Sequence, residues 1–211
     1  MIAIIDYGAG NLSSVRKAFD HLGAEVTITG QPEVVDAADK IVLPGVGHFS
    51  ALSALNAAGL RDTLLKSIAA GKPFLGICLG MQWLFEGSEE APDCAGAELL
   101  CGRCRQFPAR VKSPHVGWNS LSLNSAAGSG VSGSGTSVSR RSKLLCHLPS
   151  DSFVYFTHSF YAPVTQATSA TTDYGLPFSA AVERDNIFGV QFHPEKSGTA
   201  GLLILKAFCE V

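Results

Sequence analysis

The segment PFLGICLGMQWLF, residues 73–85, is the most informative stretch for the fold because it changes from strand to helix at a single residue. Residues 73–77 form a short, nearly continuous apolar run, which is typical of a parallel strand covered on both faces. Cys78 follows this run, and the residues after it fit a helix through about residue 85. We therefore predict a strand–turn–helix unit with Cys78 at the turn.

The segments before and after this unit continue the same alternation. Further strands are predicted at residues 1–5, 26–29 and 40–43, and helices at 12–22 and 60–70. Alternating strands and helices predict an α/β fold with a mostly parallel open sheet flanked by helices. The second half adds extra strands. Its predicted elements are strands at 106–111, 153–157, 180–183 and 188–191 and a last helix at 200–208.

The length and composition favour a single domain over residues 1–211. Apolar residues make up 46% of the chain and charged residues 16%, so we expect a substantial core. A Gly/Ser-rich stretch at about 124–143 has little to bury. We predict that it forms a flexible surface loop.

Charge and the N-terminal sequence argue against several classes of protein. The formal net charge is −2, without the basic footprint of a nucleic-acid-binding protein. The first residues have no basic region before their apolar run, and no apolar stretch is long enough for a membrane span. Six cysteines without a secretion signal indicate reduced thiols, so we expect a cytoplasmic location.

The residues around Cys78 have the spacing of a nucleophile elbow. The segment GICLG, residues 76–80, matches the pattern G-x-S-x-G with sulfur in place of oxygen. Glycines at both ends give room for a tight turn and for a substrate close to the backbone. The helix that follows favours the thiolate, which is the form that attacks. A buried structural cysteine is the alternative, but this setting favours a catalytic one.

A candidate base and its orienting carboxylate lie near the C-terminus, in His193-Pro194-Glu195. Pro194 pushes His193 toward extended geometry, and in an extended segment residues two apart project to the same side. We therefore expect His193 to take the thiol proton and return it to the departing amine, while Glu195 orients the imidazole. The alternative is a turn at a strand end with solvated side chains.

Acyl transfer also needs backbone donors for an oxyanion. Pro44-Gly45-Val46-Gly47 follows a predicted strand, so we expect it at the same carboxyl edge of the sheet as Cys78. Its two glycines allow peptide N–H groups to turn inward, and the amide of Leu79 is a second natural donor. For this segment alone, a plain turn is the alternative.

Longer segments carry a family resemblance from end to end of the chain. They are DYGAGNL (6–12), LPGVGHF (43–49), GICLGMQ (76–82), HVGWN (115–119), YFTHSFY (155–161) and residues 189–198. With these segments the chain resembles the class I, or triad, glutamine amidotransferases. Within that class it resembles the glutaminase subunits of imidazole glycerol phosphate synthases, which act in histidine biosynthesis.

The resemblance implies a flavodoxin-like fold and a specific reaction that needs no cofactor. Cys78 would form a glutamyl thioester, with His193 as the base and Glu195 as its orienting group. Together with the Leu79 donor, the residues expected to border the glutamine are Gly45, Val46, Gly47, Gln82, His158, Ser159 and Phe160.

The resemblance also implies a partner. Ammonia would pass into a (β/α)₈-barrel cyclase subunit, in a one-to-one heterodimer, and the cyclase would make imidazole glycerol phosphate and AICAR. By position, the residues facing this partner would be Asn11, Trp118, Tyr155 and Lys196.

Other functions fit only parts of the sequence. Gly8-Ala9-Gly10 after the first strand suggests a dinucleotide site, but Ser13 stands where a third glycine is needed. A glutaminase of another class I amidotransferase and a non-catalytic subunit with a vestigial triad remain open. Cys101 and Cys104, with Cys94 nearby, form only a weak zinc pattern, and we predict no metal.

Overall fold

The computed structural model describes residues 1–123 and 142–211. The loop predicted at 124–143 lies outside the described residues, apart from its last two. Within these ranges the helices are α1 (Leu12–His21), α2 (Pro32–Ala37), α3 (Ser53–Ala57), α4 (Leu60–Ala69), α5 (Leu79–Trp83) and α6 (Gly198–Glu210). Short 3₁₀ turns cover Phe49–Leu52 and Pro194–Lys196. The strands are β1 (Ile2–Ile5), β2 (Val26–Thr29), β3 (Lys40–Gly45), β4 (Phe74–Cys78), β5 (Gly87–Ser88), β6 (Ala91–Ala95), β7 (Arg103–Gln106), β8 (His115–Ser120), β9 (Ser122–Leu123), β10 (Phe153–His158), β11 (Phe160–Tyr161), β12 (Thr168–Asp173), β13 (Pro177–Arg184) and β14 (Ile187–Val190).

The main sheet contains eight of these strands in the order β2-β1-β3-β4-β14-β13-β12-β9. The five strands from β2 to β14 pair in parallel. The remaining three strands extend the sheet with antiparallel pairs. This topology confirms the predicted α/β fold with a mostly parallel sheet and extra strands in the second half. It also inserts β14, from late in the chain, directly beside β4.

Side chains alternate between the two faces of each parallel strand, so apolar residues at consecutive positions give the sheet two apolar faces. Helices cover both of these faces. Ile4 of β1 packs in a core with Phe19 of α1 and Phe208 of α6. The next residue, Ile5, belongs to a second core that includes Leu64 of α4. This burial on both faces explains why the parallel strands are apolar at consecutive positions.

One predicted strand is wrong, and one predicted helix is too long. A strand was predicted at 106–111, whereas β7 ends at Gln106. Pro108 has no N–H for a ladder, and its carbonyl accepts from the N–H of Val111 at 2.8 Å, so the chain turns there. The helix after Cys78 was predicted to reach about residue 85, but α5 ends at Trp83.

Strands β8 and β10 form a separate antiparallel pair with one buried and one open face. Val154 and Phe156 of β10 are fully buried. On the other face Tyr155 lies opposite Trp118, and the Trp118 residue is 56% exposed. The pair therefore presents aromatic side chains to solvent.

No helix in the described ranges is long and apolar enough to cross a membrane. All six cysteines are unpaired thiols, with Cys104 buried and Cys101 exposed. Within residues 1–123 and 142–211, no three His, Cys, Asp or Glu side chains are grouped as metal ligands would be.

Candidate active site

Cys78 lies at the turn between β4 and α5. Its backbone has a positive φ of 53° with ψ −104°, a conformation that a residue other than glycine adopts only when its surroundings enforce it. A Cβ on Gly80 would overlap the carbonyl oxygen of Leu43, and one on Gly76 would overlap the carbonyl of Gly80. The two flanking glycines therefore allow the close packing that this turn requires.

Strand order, and not nearness in sequence, brings His193 to this turn. In the parallel pairing of β14 with β4, Val190 lies opposite Ile77. The residues that follow the two strands are therefore neighbours at one edge of the sheet. The N–H of His193 donates to the carbonyl of Tyr155 in β10, at 2.9 Å, which fixes the histidine backbone.

The side chains of His193 and Glu195 form a buried pair. Nδ1 of His193 lies 2.9 Å from Oε1 of Glu195, and each side chain is only 1% exposed. The expected contact is present, but the expected extended path is wrong. His193 itself is extended, and Pro194–Lys196 then forms a 3₁₀ turn that brings the carboxylate back toward the imidazole.

The charge state of His193 follows from its surroundings. Burial by itself lowers the pKa of this imidazole, but interactions with Cys78 and Glu195 outweigh burial and raise it to about 10. The other ring nitrogen, Nε2, is buried and has no hydrogen-bond partner within the described ranges. A positively charged imidazole next to a cysteine is the arrangement that activates cysteine nucleophiles in general.

A cavity of about 230 Å³ opens beside Cys78. Seven of the residues predicted to border the substrate line it: Val46, Gly47, Leu79, Gln82, His158, Ser159 and Phe160. Three further lining residues, Glu90, Pro114 and Thr157, were not predicted from the sequence. Glu90 contributes the single acidic side chain among these residues. Its Oε2 accepts from the N–H of Phe49 at 2.7 Å, which fixes the carboxylate in place.

Gly45 was also predicted to border the substrate, but it is not among the residues that line the cavity. A Cβ at this position would be 2.5 Å from the phenolic oxygen of Tyr7 and 2.7 Å from Cβ of Leu79. Burial, together with the nearby Cys78, raises the pKa of Tyr7, so the phenol stays protonated. Only glycine at 45 allows β3 to approach Tyr7 and α5 this closely.

A hydrogen-bonded chain supports the far wall of the cavity. The carbonyl of Phe160 accepts from Nε2 of Gln82 at 2.9 Å and from Nδ1 of His158 at 2.8 Å. Nε2 of His158 lies 3.1 Å from Nδ1 of His115. Burial lowers the pKa of His158 to about 3 and that of His115 to about 4, so both rings are neutral. His158 then carries its proton on Nδ1 and accepts from His115.

Three of the four residues predicted to face a partner lie close together. The rings of Trp118 and Tyr155 are 6.1 Å apart, and Nζ of Lys196 lies 6.0 Å from the Tyr155 ring centroid. The fourth, Asn11, lies at the position just before α1.

The chain matches the family model of class-I glutamine amidotransferases over residues 3–210. A protein of Methanothermobacter thermautotrophicus named imidazole glycerol phosphate synthase subunit HisH is 47% identical over 213 residues, which span 100% of this chain and 98% of that protein. A protein of the same name from Moorella thermoacetica is 43% identical over 213 residues, spanning 100% of this chain and 94% of that one. The solved structure of PurLQS from Thermotoga maritima has a TM-score of 0.72 at 19% identity, with 99% of this chain and 97% of that chain covered. This chain therefore belongs to the class-I glutamine amidotransferases.

Proposed function

We propose that this protein is the glutaminase subunit of an imidazole glycerol phosphate synthase. It hydrolyses glutamine to glutamate and delivers the ammonia to a cyclase subunit. The observation that carries the proposal is the strained Cys78 turn at a cavity, beside the buried pair of His193 and Glu195. The full-length similarity to HisH subunits supports the choice of this synthase.

In the proposed reaction Cys78 and His193 share one proton. The Cys78 thiolate attacks the carboxamide carbon of glutamine, so a C–S bond forms and the negative charge moves to the amide oxygen. The C–N bond then breaks, and protonated His193 gives its proton to the departing nitrogen, which leaves as ammonia. Neutral His193 next takes a proton from water, whose oxygen forms a bond to the thioester carbon. The C–S bond then breaks, which returns the Cys78 thiolate beside protonated His193 and releases glutamate. Glu195 keeps the imidazole oriented and stabilises its charged form.

Backbone amides stabilise the oxyanion in this proposal. The N–H of Leu79 directly follows the nucleophile, as in other nucleophile elbows. The second donor comes from the segment Gly45-Val46-Gly47, whose last two residues line the cavity. Gly47 has φ +99°, a backbone conformation that suits glycine and helps to turn the adjacent peptide groups.

The cavity also offers a partner for the α-ammonium group of glutamine. Glu90 supplies a fixed carboxylate for the α-ammonium group. Gln82 and the backbone of Ser159 and Phe160 supply polar groups at the same cavity. A substrate with both an amide and an ammonium group suits this lining better than a purely apolar one.

We propose that the cyclase partner binds the open face of β8 and β10. Exposed aromatic residues are enriched where one protein binds another, and Lys196 adds a positive charge beside Tyr155. Trp118, Tyr155, Lys196 and Asn11 form this partner surface in the proposal. A cytoplasmic location agrees with six unpaired thiols and with a biosynthetic role.

Glutamate release from glutamine tests the function. The assay uses the purified chain alone, the chain with the cyclase subunit and its nucleotide substrate, and the same complex carrying Cys78→Ala. We expect release in the complex and none with Cys78→Ala. Release that survives Cys78→Ala would exclude the proposed nucleophile, and a complex without any release would exclude this synthase.

A further inference from the structure

Gln191 places a buried amide against the sulfur of Cys78. Its side chain is fully buried, and its Nε2 donates to Sγ of Cys78 at 3.6 Å. Gln191 directly follows β14 and Cys78 ends β4, so the parallel pairing of these strands makes the two residues neighbours. The sequence motifs did not single out this glutamine.

The orientation of the Gln191 amide is fixed by its neighbours. The carbonyl of Phe160 can only accept a hydrogen bond, so the atom of Gln82 that lies 2.9 Å from it must be Nε2. The same Nε2 donates to Oε1 of Gln191 at 3.0 Å. With its oxygen held by Gln82, Gln191 can only turn its nitrogen toward Cys78. The Phe160 carbonyl thus fixes the orientation of the Gln82 amide, and the Gln82 amide fixes the orientation of the Gln191 amide.

The sulfur has a second, competing contact. The carbonyl of Thr157 lies 4.0 Å from Sγ of Cys78 and can accept only from the protonated thiol. The Gln191 N–H, by contrast, stabilises the charged thiolate. The Gln191 contact is the shorter of the two. Of the two uncharged groups that contact this sulfur, the nearer one is therefore the donor that stabilises the thiolate.

We propose that Gln191 is a donor to the Cys78 thiolate and that Gln82 is the positioning residue that keeps the Gln191 amide in the donating orientation. This inference rests on the proposed function, since it assumes that Cys78 is the nucleophile. Both N–H groups of Gln82 are used by Phe160 and Gln191. The side-chain oxygen of Gln82 is then the atom of this amide that can accept a hydrogen bond from the substrate glutamine.

The test measures the alkylation rate of Cys78 by iodoacetamide at about pH 7, by peptide mass spectrometry. Gln191→Met keeps the length of the side chain but removes the donor. We expect Cys78 to react roughly tenfold more slowly in this variant, since a hydrogen bond to a charged group is lost. Exposed Cys101 serves as the internal reference, and Gln166→Met, at an exposed glutamine, is the matched control.

The relay is tested with Gln82→Met alone and together with Gln191→Met. We expect Gln82→Met to slow Cys78 alkylation when Gln191 is present and to have no further effect when Gln191 is already Met. Unchanged Cys78 alkylation in Gln191→Met would overturn the donor role. An equal effect of Gln82→Met in both backgrounds would overturn the relay.

Two further measurements distinguish a failure of this inference from a failure of the proposed function and from misfolding of the variant. If wild-type complex releases glutamate and Cys78→Ala does not, equal alkylation rates overturn this inference alone and leave the proposed function standing. If Gln191→Met does not fold by circular dichroism, the side-chain amide resonances of Gln191 are compared between wild type and Cys78→Ala. We expect these resonances to shift when the sulfur is removed, and unchanged resonances would contradict the contact.

Discussion

The hydroxyl of Ser197 donates to the carbonyl of His193 at 2.7 Å. The same hydroxyl accepts from the N–H of Tyr155 at 2.9 Å, and Ser197 is 2% exposed. This one side chain therefore ties the candidate base to strand β10. Since the carbonyl of Tyr155 also accepts from the N–H of His193, two hydrogen bonds join residues 193–197 to β10.

Ser197→Ala should lower both stability and activity. The change leaves the N–H of Tyr155 without its acceptor, at a cost of about 1–3 kcal/mol. It also removes one of the two donors to the His193 carbonyl, which keeps only the N–H of Lys196, and so loosens His193. Urea denaturation and glutamate release in the partner complex measure the two effects. The matched control is Ser169→Ala, because the buried hydroxyl of Ser169 makes no hydrogen bond within the described ranges and should be lost at little cost. Equal destabilisation by both changes would contradict the role of Ser197.

Glu195→Gln should reduce kcat for glutamate release on the order of 100-fold or more, because the imidazolium loses its buried counter-charge. Steady-state kinetics of the complex provide the measurement. Glu210→Gln is the matched control, since Glu210 also lies 2.9 Å from a histidine, His147, but both side chains are exposed. An exposed ion pair of this kind contributes little to the free energy of folding, so its loss should leave both the fold and kcat unchanged.

Gly80→Ala should disrupt the turn at Cys78. The new Cβ would overlap the carbonyl oxygen of Leu43, so the backbone has to move, at a cost of about 3 kcal/mol. We expect lower thermal stability and loss of glutamate release. Gly23→Ala is the control, since Gly23 has open space around it and φ +71°. That change should cost only about 1–2 kcal/mol of backbone strain and preserve activity.

The neutral histidine pair should make the protein sensitive to acid. The pKa of His115 is lowered to about 4 and that of His158 to about 3, whereas an unfolded histidine titrates near 6.5. Between about pH 6.5 and pH 4 the unfolded chain therefore binds more protons at these two histidines than the native chain does. The free energy of unfolding falls as the pH drops through this interval. Below about pH 5.5 His193 is protonated in the native state, where its pKa is raised, and largely protonated in the unfolded chain, so it adds little opposing slope.

Urea midpoints between about pH 6 and 4.5 check this expectation. His115→Phe removes one of the two titrating groups and keeps an aromatic ring for stacking on Tyr174, whose ring centroid lies 3.9 Å from that of His115. We expect the variant to lose less stability over this interval than wild type, even if it is less stable at neutral pH. An unchanged slope would show that His115 does not contribute.

Trp118→Ala should weaken binding of the cyclase subunit roughly tenfold or more without destabilising the free chain. Trp118 is 56% exposed and packs on Tyr155, so removing it costs little within this chain but deletes an aromatic anchor. Calorimetric titration with the cyclase and thermal denaturation measure the two quantities. Val164→Ala, at a residue 50% exposed outside this face, is the control, and equal weakening by both changes would argue against the proposed surface.

Local constraints on the backbone were readable from sequence. Glycines at 76 and 80 predicted a tight turn at Cys78, and the structure shows that a side chain at either position would overlap the backbone. The apolar run of β1 predicted a strand buried on both faces, and it lies in the parallel part of the main sheet. These predictions succeeded because each depends on residues adjacent in the chain.

The prediction of a strand at 106–111 failed because Pro108 turns the chain after β7. The expected extended path from His193 to Glu195 also failed, although the two side chains do meet, because a 3₁₀ turn follows the histidine. In both places a proline, Pro108 or Pro194, changed the path of the backbone from the extended one that the pattern of residue types predicted.

The sequence by itself determined the alternation of strands and helices, the tight turn at Cys78 and the contact of His193 with Glu195, since these depend on local spacing. Only the tertiary structure decided that Glu90 enters the cavity, that Ser197 ties His193 to β10 and that Gln191 reaches the sulfur. The Gln191 contact requires β14 to lie beside β4, and the Ser197 contact requires β10 to lie near the end of β14. Strand pairing joins residues more than a hundred positions apart, and a local pattern of residue types does not specify that pairing.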